Sequence, residues 1–288
     1  MRAMGKIILF GEHSVVYGKP AIAVPVPTIY TDVKVSPNSS LVFDLKINLD
    51  NNETKRLHQL AGFVFRELNA SPNGRISIDS TIPLGSGMGS SASLSVALIR
   101  AVAESRGSIL DNEQVSQIAF KCEKIFHGNP SGIDNTVVTY EKPVFYIREK
   151  DIEFIRIRPL RLVIAGTGIK SSTKKIVEDV RKRYRGDANY KGYFDEMGRI
   201  AVSARDALEK GNIAELGNLM NKNHEYLQKI GVSCPELDKL VRTARENGAL
   251  GAKLVGAGRG GNIVALLKEK TSVRGLEKKA KYVIEIEI

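Results

Sequence analysis

The residues with most chemical promise lie between Pro83 and Ser93, in the run Pro-Leu-Gly-Ser-Gly-Met-Gly-Ser-Ser-Ala-Ser. Gly85, Gly87 and Gly89 alternate with other residues, and two serines then open an apolar run. Missing side chains let the backbone come close to a ligand. The open N–H groups of a helix start, together with its dipole, favour an anion. Phosphate is the natural ligand for such a loop, and ordinary turn chemistry is the plain alternative. A Walker loop would need a Lys-Ser or Lys-Thr that is missing here, and the spacing is not that of the dinucleotide fingerprint.

Titratable residues gather in three other places. Lys6 heads the apolar run Lys6 to Phe10, and Gly11-Glu12-His13 follows before a second apolar run, Ala21 to Val26. A surface hairpin explains this pattern, and so does a loop aimed at a site. Glu123 lies about a quarter turn from the middle of the helical stripe Val115, Ile118, Ala119, Cys122, Ile125 and Phe126. From there it is either an exposed helix-edge glutamate, the plainer reading, or the edge of a cleft. Asp134 ends the turn-rich segment His127-Gly-Asn-Pro-Ser-Gly-Ile-Asp, where it caps a helix, closes an Asx-turn or acts as a buried base. Asn223, polar on an apolar stripe, reads as a satisfied core amide. Gly256 to Gly261 has dinucleotide spacing, but an apolar strand follows instead of a helix, so it reads as strand–loop–strand.

The elements that must position these groups follow from periodicity. Ile76 and Ile78 alternate with polar residues before the glycine loop, and Leu94, Ala97, Leu98 and Ala101 recur at helical spacing after it. The loop therefore joins a strand to a helix start. Leu57, Leu60, Ala61, Val64, Phe65 and Leu68 predict an amphipathic helix. Asp111 with Gln114, and Ser233 with Glu236, have the layout of capping boxes. Arg161 to Ala165 reads as a strand, with Ser171 and Ser172 at the helix start beyond it. Two helical stripes follow, Phe194 to Leu208, closed by Gly211, and Ile213 to Ile230. Strands are expected over Leu250 to Val255, Ile263 to Leu267 and Tyr282 to Ile288. A domain boundary is expected near residue 160, giving 1–160 and 161–288.

With 288 residues, 42% of them hydrophobic, the chain can bury a sizeable core in one large domain or two ordinary ones. No run of about 18 apolar residues suggests a membrane span. The N-terminus lacks a signal-peptide layout, and two cysteines make no disulfide framework. A soluble cytoplasmic protein is the plain expectation. The net charge of +11 suits nucleic acid, small polyanions or a merely solvated surface. Its densest cluster, Arg181 to Arg185, reads as a solvated helix end. Aromatics make up 6% with no tryptophan, which weighs against base stacking.

Taken together, Gly5 to His13, Pro83 to Ser93 and Lys253 to Gly261 resemble the three-motif pattern of the GHMP kinases. Gly11 to Ala21, and Glu123 through Asn135, are similar to the mevalonate kinase branch. The resemblance spans the whole chain. It implies an α/β (α+β) fold of two domains, the first like ribosomal protein S5 and the second ferredoxin-like, with ATP and mevalonate in the cleft between. The implied activity is ATP-dependent phosphorylation of the C5 hydroxyl of mevalonate. Pro83, Leu84, Gly85, Ser86, Gly87, Met88, Gly89, Ser90, Ser91, Ala92 and Ser93 would form the nucleotide loop. Ser91 and Glu123 would hold Mg²⁺, Asp134 would be the base, and Lys6 would stand beside it and the γ-phosphate. Glu12 and His13 would line the substrate site. A homodimer without nucleic-acid or membrane partners is the implied assembly.

Arg259 departs from the family, which usually has glycine there, and Val255 replaces a polar residue. Because non-glycine residues are uncommon at positive φ, Arg259 is expected to avoid that region and face solvent. The alternative is a guanidinium turned toward the phosphates. Competing readings are another GHMP small-molecule kinase, acting on phosphomevalonate or homoserine, and a basic RNA-binding module on an S5-like fold. Lys6, Glu123 and Asp134 argue against the last, because RNA binding needs no such carboxylates.

Overall fold

The structure, a computed structural model, describes every residue except 47, 48, 84, 128, 129, 151 and 270. Of the calls above, Leu84 of the glycine loop and the Gly128-Asn129 turn lie outside the described residues. The chain divides into two units that interleave along the sequence. One comprises Met1–Lys6, Pro25–Leu84 and Gly89–Glu141; the other comprises Ile7–Val24, Gly85–Met88 and Lys142–Ile288. A single linear boundary does not express this weaving.

The first unit takes the start of strand β1 (Arg2–Phe10) and most of β2 (Ala21–Ser36). It continues with β3 (Leu41–Leu45), α1 (Asn51–Glu67), β4 (Gly74–Ser80), α2 (Ser90–Ser105), α3 (Asn112–His127) and α4 (Ile133–Tyr140). Alternation in the sequence sets the register. Ile76 and Ile78 of β4 face Val35 and Val33 across an antiparallel ladder with β2, while Arg75 points outward. Those isoleucines are buried with Leu60 and Val64 of α1, Val96 of α2 and Ala119 of α3. Asp111 and Gln114 form the expected capping box on α3. A second box, Asp50 with Glu53, starts α1 and escaped the sequence reading.

In the second unit a short 3-10 turn (Ser14–Tyr17) follows β1. Then come β5 (Val144–Tyr146), β6 (Glu153–Phe154), β7 (Arg161–Gly166), α5 (Thr173–Gly186), α6 (Ala188–Lys210), α7 (Ile213–Lys229) and α8 (Pro235–Glu246). The chain closes with β8 (Gly251–Val255), β9 (Asn262–Leu266), α9 (Arg274–Glu277) and β10 (Tyr282–Glu287). The antiparallel sheet has the order β10-β7-β9-β8, so β8 is an edge. Helix α7 covers that edge with side chains. Ala252 N–H donates to Asn221 Oδ1 at 3.0 Å, and Leu254 N–H donates to His224 Nδ1 at 3.3 Å. Gly217 and Gly251 permit the approach, because a Cβ on Gly251 would lie 2.1 Å from the Gly217 oxygen.

The capping box expected at Ser233 and Glu236 does not form. Helix α8 starts at Pro235, Cys234 is its N-cap without a side-chain bond, and Ser233 Oγ donates to Asp238 at 2.5 Å. Ser233 stands one residue before the N-cap, and its hydroxyl donates instead to the Asp238 carboxylate, a charge-assisted bond. Among the described residues, no helix is long and apolar enough to cross a membrane.

Candidate active site

In the first unit, four of the expected residues come together. The pleat of β1 turns Lys6 inward, where it is 3% exposed. Gly132, at φ 93°, starts α4 in a left-handed turn and puts Asp134 in its first turn. Lys6 Nζ lies 2.9 Å from Asp134 Oδ2, and Asp134 keeps 28% exposure, so the pair opens to solvent at the carboxylate. Glu123 on α3 is 2% exposed, which corrects the helix-edge expectation. The apolar stripe reports only the face turned to the main core. Helix α3 also packs on α2 and α4, and this second covered face takes in Glu123.

Burial, reinforced by the charge of Asp134, pushes the Glu123 carboxyl up to about 8; a hydrogen bond from Ser91 and the charge of Lys6 oppose this. Ser91 stands in the first turn of α2, whose N-cap is Gly89 at φ 79°. A Cβ on Gly89 would come within 2.8 Å of Lys6 Cγ, so the lysine passes directly under the helix start. Ala92 and Ser93 are buried, and Ser93 Oγ donates to the Ala3 carbonyl at 2.7 Å, fastening α2 to β1. Ser91 and Glu123 present two oxygen donors, the kind a hard divalent cation takes. A cation there would also relieve the cost of the buried carboxylate. Among the described residues, no group of three or more His, Cys, Asp or Glu could hold a metal.

The second unit carries the remaining residues. Gly85 and Gly87 take φ 68° and 74° and are exposed, with Ser86 and Met88 buried between and beyond them. Asn262 Nδ2 donates to the Ser86 carbonyl at 2.7 Å. A Cβ on Gly87 would lie 3.1 Å from Gly256 Cα. The loop Gly256 to Gly261 therefore backs this part of the glycine loop, and it joins β8 to β9 as the sequence reading expects.

Arg259 corrects its expectation twice. It adopts φ 50°, and its side chain takes neither of the courses considered. Nε donates to the Gly231 carbonyl at 3.0 Å, and another guanidinium nitrogen pairs with Asp179 of α5. A carboxylate and a carbonyl in reach offset the cost of a left-handed arginine, roughly 1–2 kcal/mol.

Glu12 is buried in an ion pair with Lys253 of β8, and it accepts from Asn223 Nδ2 at 3.4 Å. Burial pulls the Lys253 ammonium down, against the pull of Glu12. Lys253 was missed as a functional residue; its signal is a lone lysine inside the apolar run Leu250 to Val255. The Asn223 amide is satisfied only at Nδ2, short of the expectation, for its buried Oδ1 has no hydrogen-bond partner among the described residues. His13 takes φ 60°, and its Nε2–H donates to the Ala257 carbonyl at 2.9 Å. Burial holds its imidazole down to about 4, and the Arg259 charge acts in the same direction. The ring is therefore neutral at physiological pH.

Known proteins match the chain along most of its length. The family described as GHMP kinases N terminal domain matches residues 55–142, and GHMP kinases C terminal matches residues 204–284. The chain is 36% identical to the mevalonate kinase of Thermococcus onnurineus, over 94% of this chain and 89% of that one. It is 33% identical to the mevalonate kinase of Archaeoglobus fulgidus, over 99% and 96%. The structure of L. major mevalonate kinase in complex with R-mevalonate overlays with a TM-score of 0.88 at 35% identity, covering 100% of this chain and 94% of that one. Mixed α/β content in two family domains is the fold expected above. The chain belongs to the GHMP kinase family.

Proposed function

We propose that this protein is a mevalonate kinase, moving the γ-phosphoryl group of ATP to the C5 hydroxyl of mevalonate. The observation that carries the reading is the convergence of Lys6, Asp134, Glu123 and Ser91 at the start of α2. Relatives named mevalonate kinase along nearly the whole chain support the choice of acceptor.

Phosphoryl transfer asks for positioning and charge neutralisation more than covalent help. The acceptor oxygen bonds to the γ-phosphorus as the bond to the ADP oxygen breaks. The hydroxyl proton passes to the Asp134 carboxylate, and ADP leaves. Lys6 orients that carboxylate and adds positive charge beside the transferring group. Open N–H groups at the start of α2 and the exposed backbone of Gly85 and Gly87 suit the phosphates. Glu123 and Ser91 would hold Mg²⁺, which supplies charge neutralisation on the phosphate oxygens when bound. By the family resemblance, Glu12 and the neutral His13 would bind the acceptor. The partners are small molecules, without nucleic acid, and the assembly is a homodimer.

The test is ADP release over a panel of mevalonate, phosphomevalonate, homoserine and galactose. Mevalonate should lead by at least about a hundredfold in kcat/KM, because a site built to hydrogen-bond its substrate discriminates strongly. Preference for any other member overturns the acceptor assignment.

A further inference from the structure

The loop from Gly256 to Gly261 is hard to order. Gly256, Gly258, Arg259, Gly260 and Gly261 take φ of 86°, 88°, 50°, 130° and 75°. Glycine loses more conformational freedom on folding than any other residue, so four of them in six positions make a costly loop. Bonds to its backbone hold it at three residues: the Ala257 carbonyl accepts from His13 Nε2–H at 2.9 Å, and the Gly261 carbonyl accepts from Thr167 N–H at 2.8 Å. Arg259 N–H donates to the Val232 carbonyl at 2.7 Å, and Gly261 N–H donates to the Ile169 carbonyl at 3.0 Å. Apart from the methyl of Ala257, the only side chain in the loop is Arg259.

That side chain reaches outward and is fastened at both ends of its guanidinium. Nε–H donates to the carbonyl of Gly231, just beyond α7, and the far nitrogen pairs with Asp179 in the middle of α5. Asp179 is itself braced by Arg183, one helical turn on, at 3.3 Å. Arg183 reaches Tyr190 Oη at 3.4 Å, and Tyr190 Oη–H donates to the Ile230 carbonyl at 3.2 Å. The tether thus ends on α5, α6 and the end of α7, all rigid elements. Its other end is the loop that backs Ser86 and Gly87 through Gly256 and Asn262.

We infer that Arg259 and Asp179 form a positioning latch for nucleotide binding, holding the third glycine loop against the phosphate-binding loop. The latch asks neither residue to touch the nucleotide. The inference rests on the nucleotide role assigned above to Gly85, Ser86 and Gly87. It also accounts for the departure from the family's usual glycine: a side chain at this position supplies an anchor that glycine lacks.

The test uses the full chain and reads binding of a non-hydrolysable ATP analogue by calorimetry without acceptor, then KM for ATP and for mevalonate. Arg259→Asn tolerates the left-handed backbone and removes the guanidinium; Asp179→Asn removes the charge of its half-buried partner. Each should weaken analogue binding about three- to tenfold, with mevalonate KM within about twofold. The double variant should be no worse than the weaker-binding single, because both remove one tie. The gap between wild type and variants should shrink from low to high salt, since the pair is partly exposed. Analogue binding within about twofold of wild type in folded Asp179→Asn and Arg259→Asn proteins overturns the latch. So does an equal loss for both substrates, which marks general loosening. A wild-type chain that binds the analogue but ignores mevalonate leaves the latch intact and sinks only the acceptor assignment. One that binds no adenine nucleotide overturns both.

Discussion

Asp134 has a short ion pair on one side and open solvent on the other, which is where an acceptor hydroxyl would arrive. Asp134→Asn keeps the shape and a hydrogen bond to Lys6 but cannot take a proton. It should cost about 10²- to 10⁴-fold in kcat while the ATP analogue still binds, as loss of a general base does. Near-normal turnover in the folded variant would remove Asp134 from the mechanism. Glu123 makes a different demand. With its carboxyl pushed up to about 8, a cation must displace a proton at neutral pH. The Mg²⁺ concentration for half-maximal activity should therefore fall as pH rises toward 8 and flatten above it. Glu123→Gln should need more Mg²⁺ and show a flat profile; parallel profiles in the two proteins would dismiss Glu123 as a ligand. Stability responds to the same groups. His13 and His224, both held to about 4 by burial, stabilise the fold fully above 6.5, and that contribution is lost as pH falls through 4. Glu123 has the opposite sign, its contribution being full below 4.5 and lost as pH rises through 8. Thermal unfolding from pH 4 to 9 should show the acid arm vanish in a His13→Gln, His224→Gln double variant. An unchanged acid arm would mean that other groups set it.

At the scale of elements, the turn bearing Glu12 and His13 is fastened to β8 by the buried pair with Lys253. Breaking such a pair from one side leaves an uncompensated buried charge and costs about 3–5 kcal/mol, whereas neutralising both sides is often tolerated. Lys253→Met and Glu12→Gln should each lower Tm sharply, and the double variant should recover most of it. A double variant no more stable than the singles would show that the charge itself is not the cost. The strand–loop–helix around the glycine loop was legible in the sequence because alternation, glycines and helical spacing are local signals. So were Lys6 and Asp134, which adjoin such signals. The Glu12–Lys253 pair was not, because its halves lie 241 residues apart and each alone looks like an exception in an apolar run. Ser233 was misread for a related reason: its hydroxyl donates to Asp238, which also meets His224 from α7, a tertiary arrangement that a capping rule does not see. Positive φ at Arg259 came from Asp179, a tertiary partner that overrides a backbone preference.

For the whole molecule, the weaving of the chain matters more than any linear division. A fragment of residues 161–288 keeps Lys253 but loses Glu12, and with it the 7–24, 85–88 and 142–160 segments of its unit. It should show no cooperative thermal transition by circular dichroism; a sharp transition would mean that those segments are dispensable. The same weaving sets an order of events on the ribosome. The first unit is complete once Glu141 has emerged, but the second waits for the last strand. At typical synthesis rates of about 5–20 residues per second, that wait is roughly 7 to 30 seconds. Early in it, Ile7 to Phe10 and Ala21 to Val24, apolar segments mostly hidden in the finished protein, have been made; Ala21 to Ala23 gain Val144–Tyr146 soon after residue 141, but the rest of the unit, Lys253 included, comes later. The newborn chain therefore depends on holding those segments out of the reach of other nascent chains, and any slowing of translation past residue 141 lengthens that exposure.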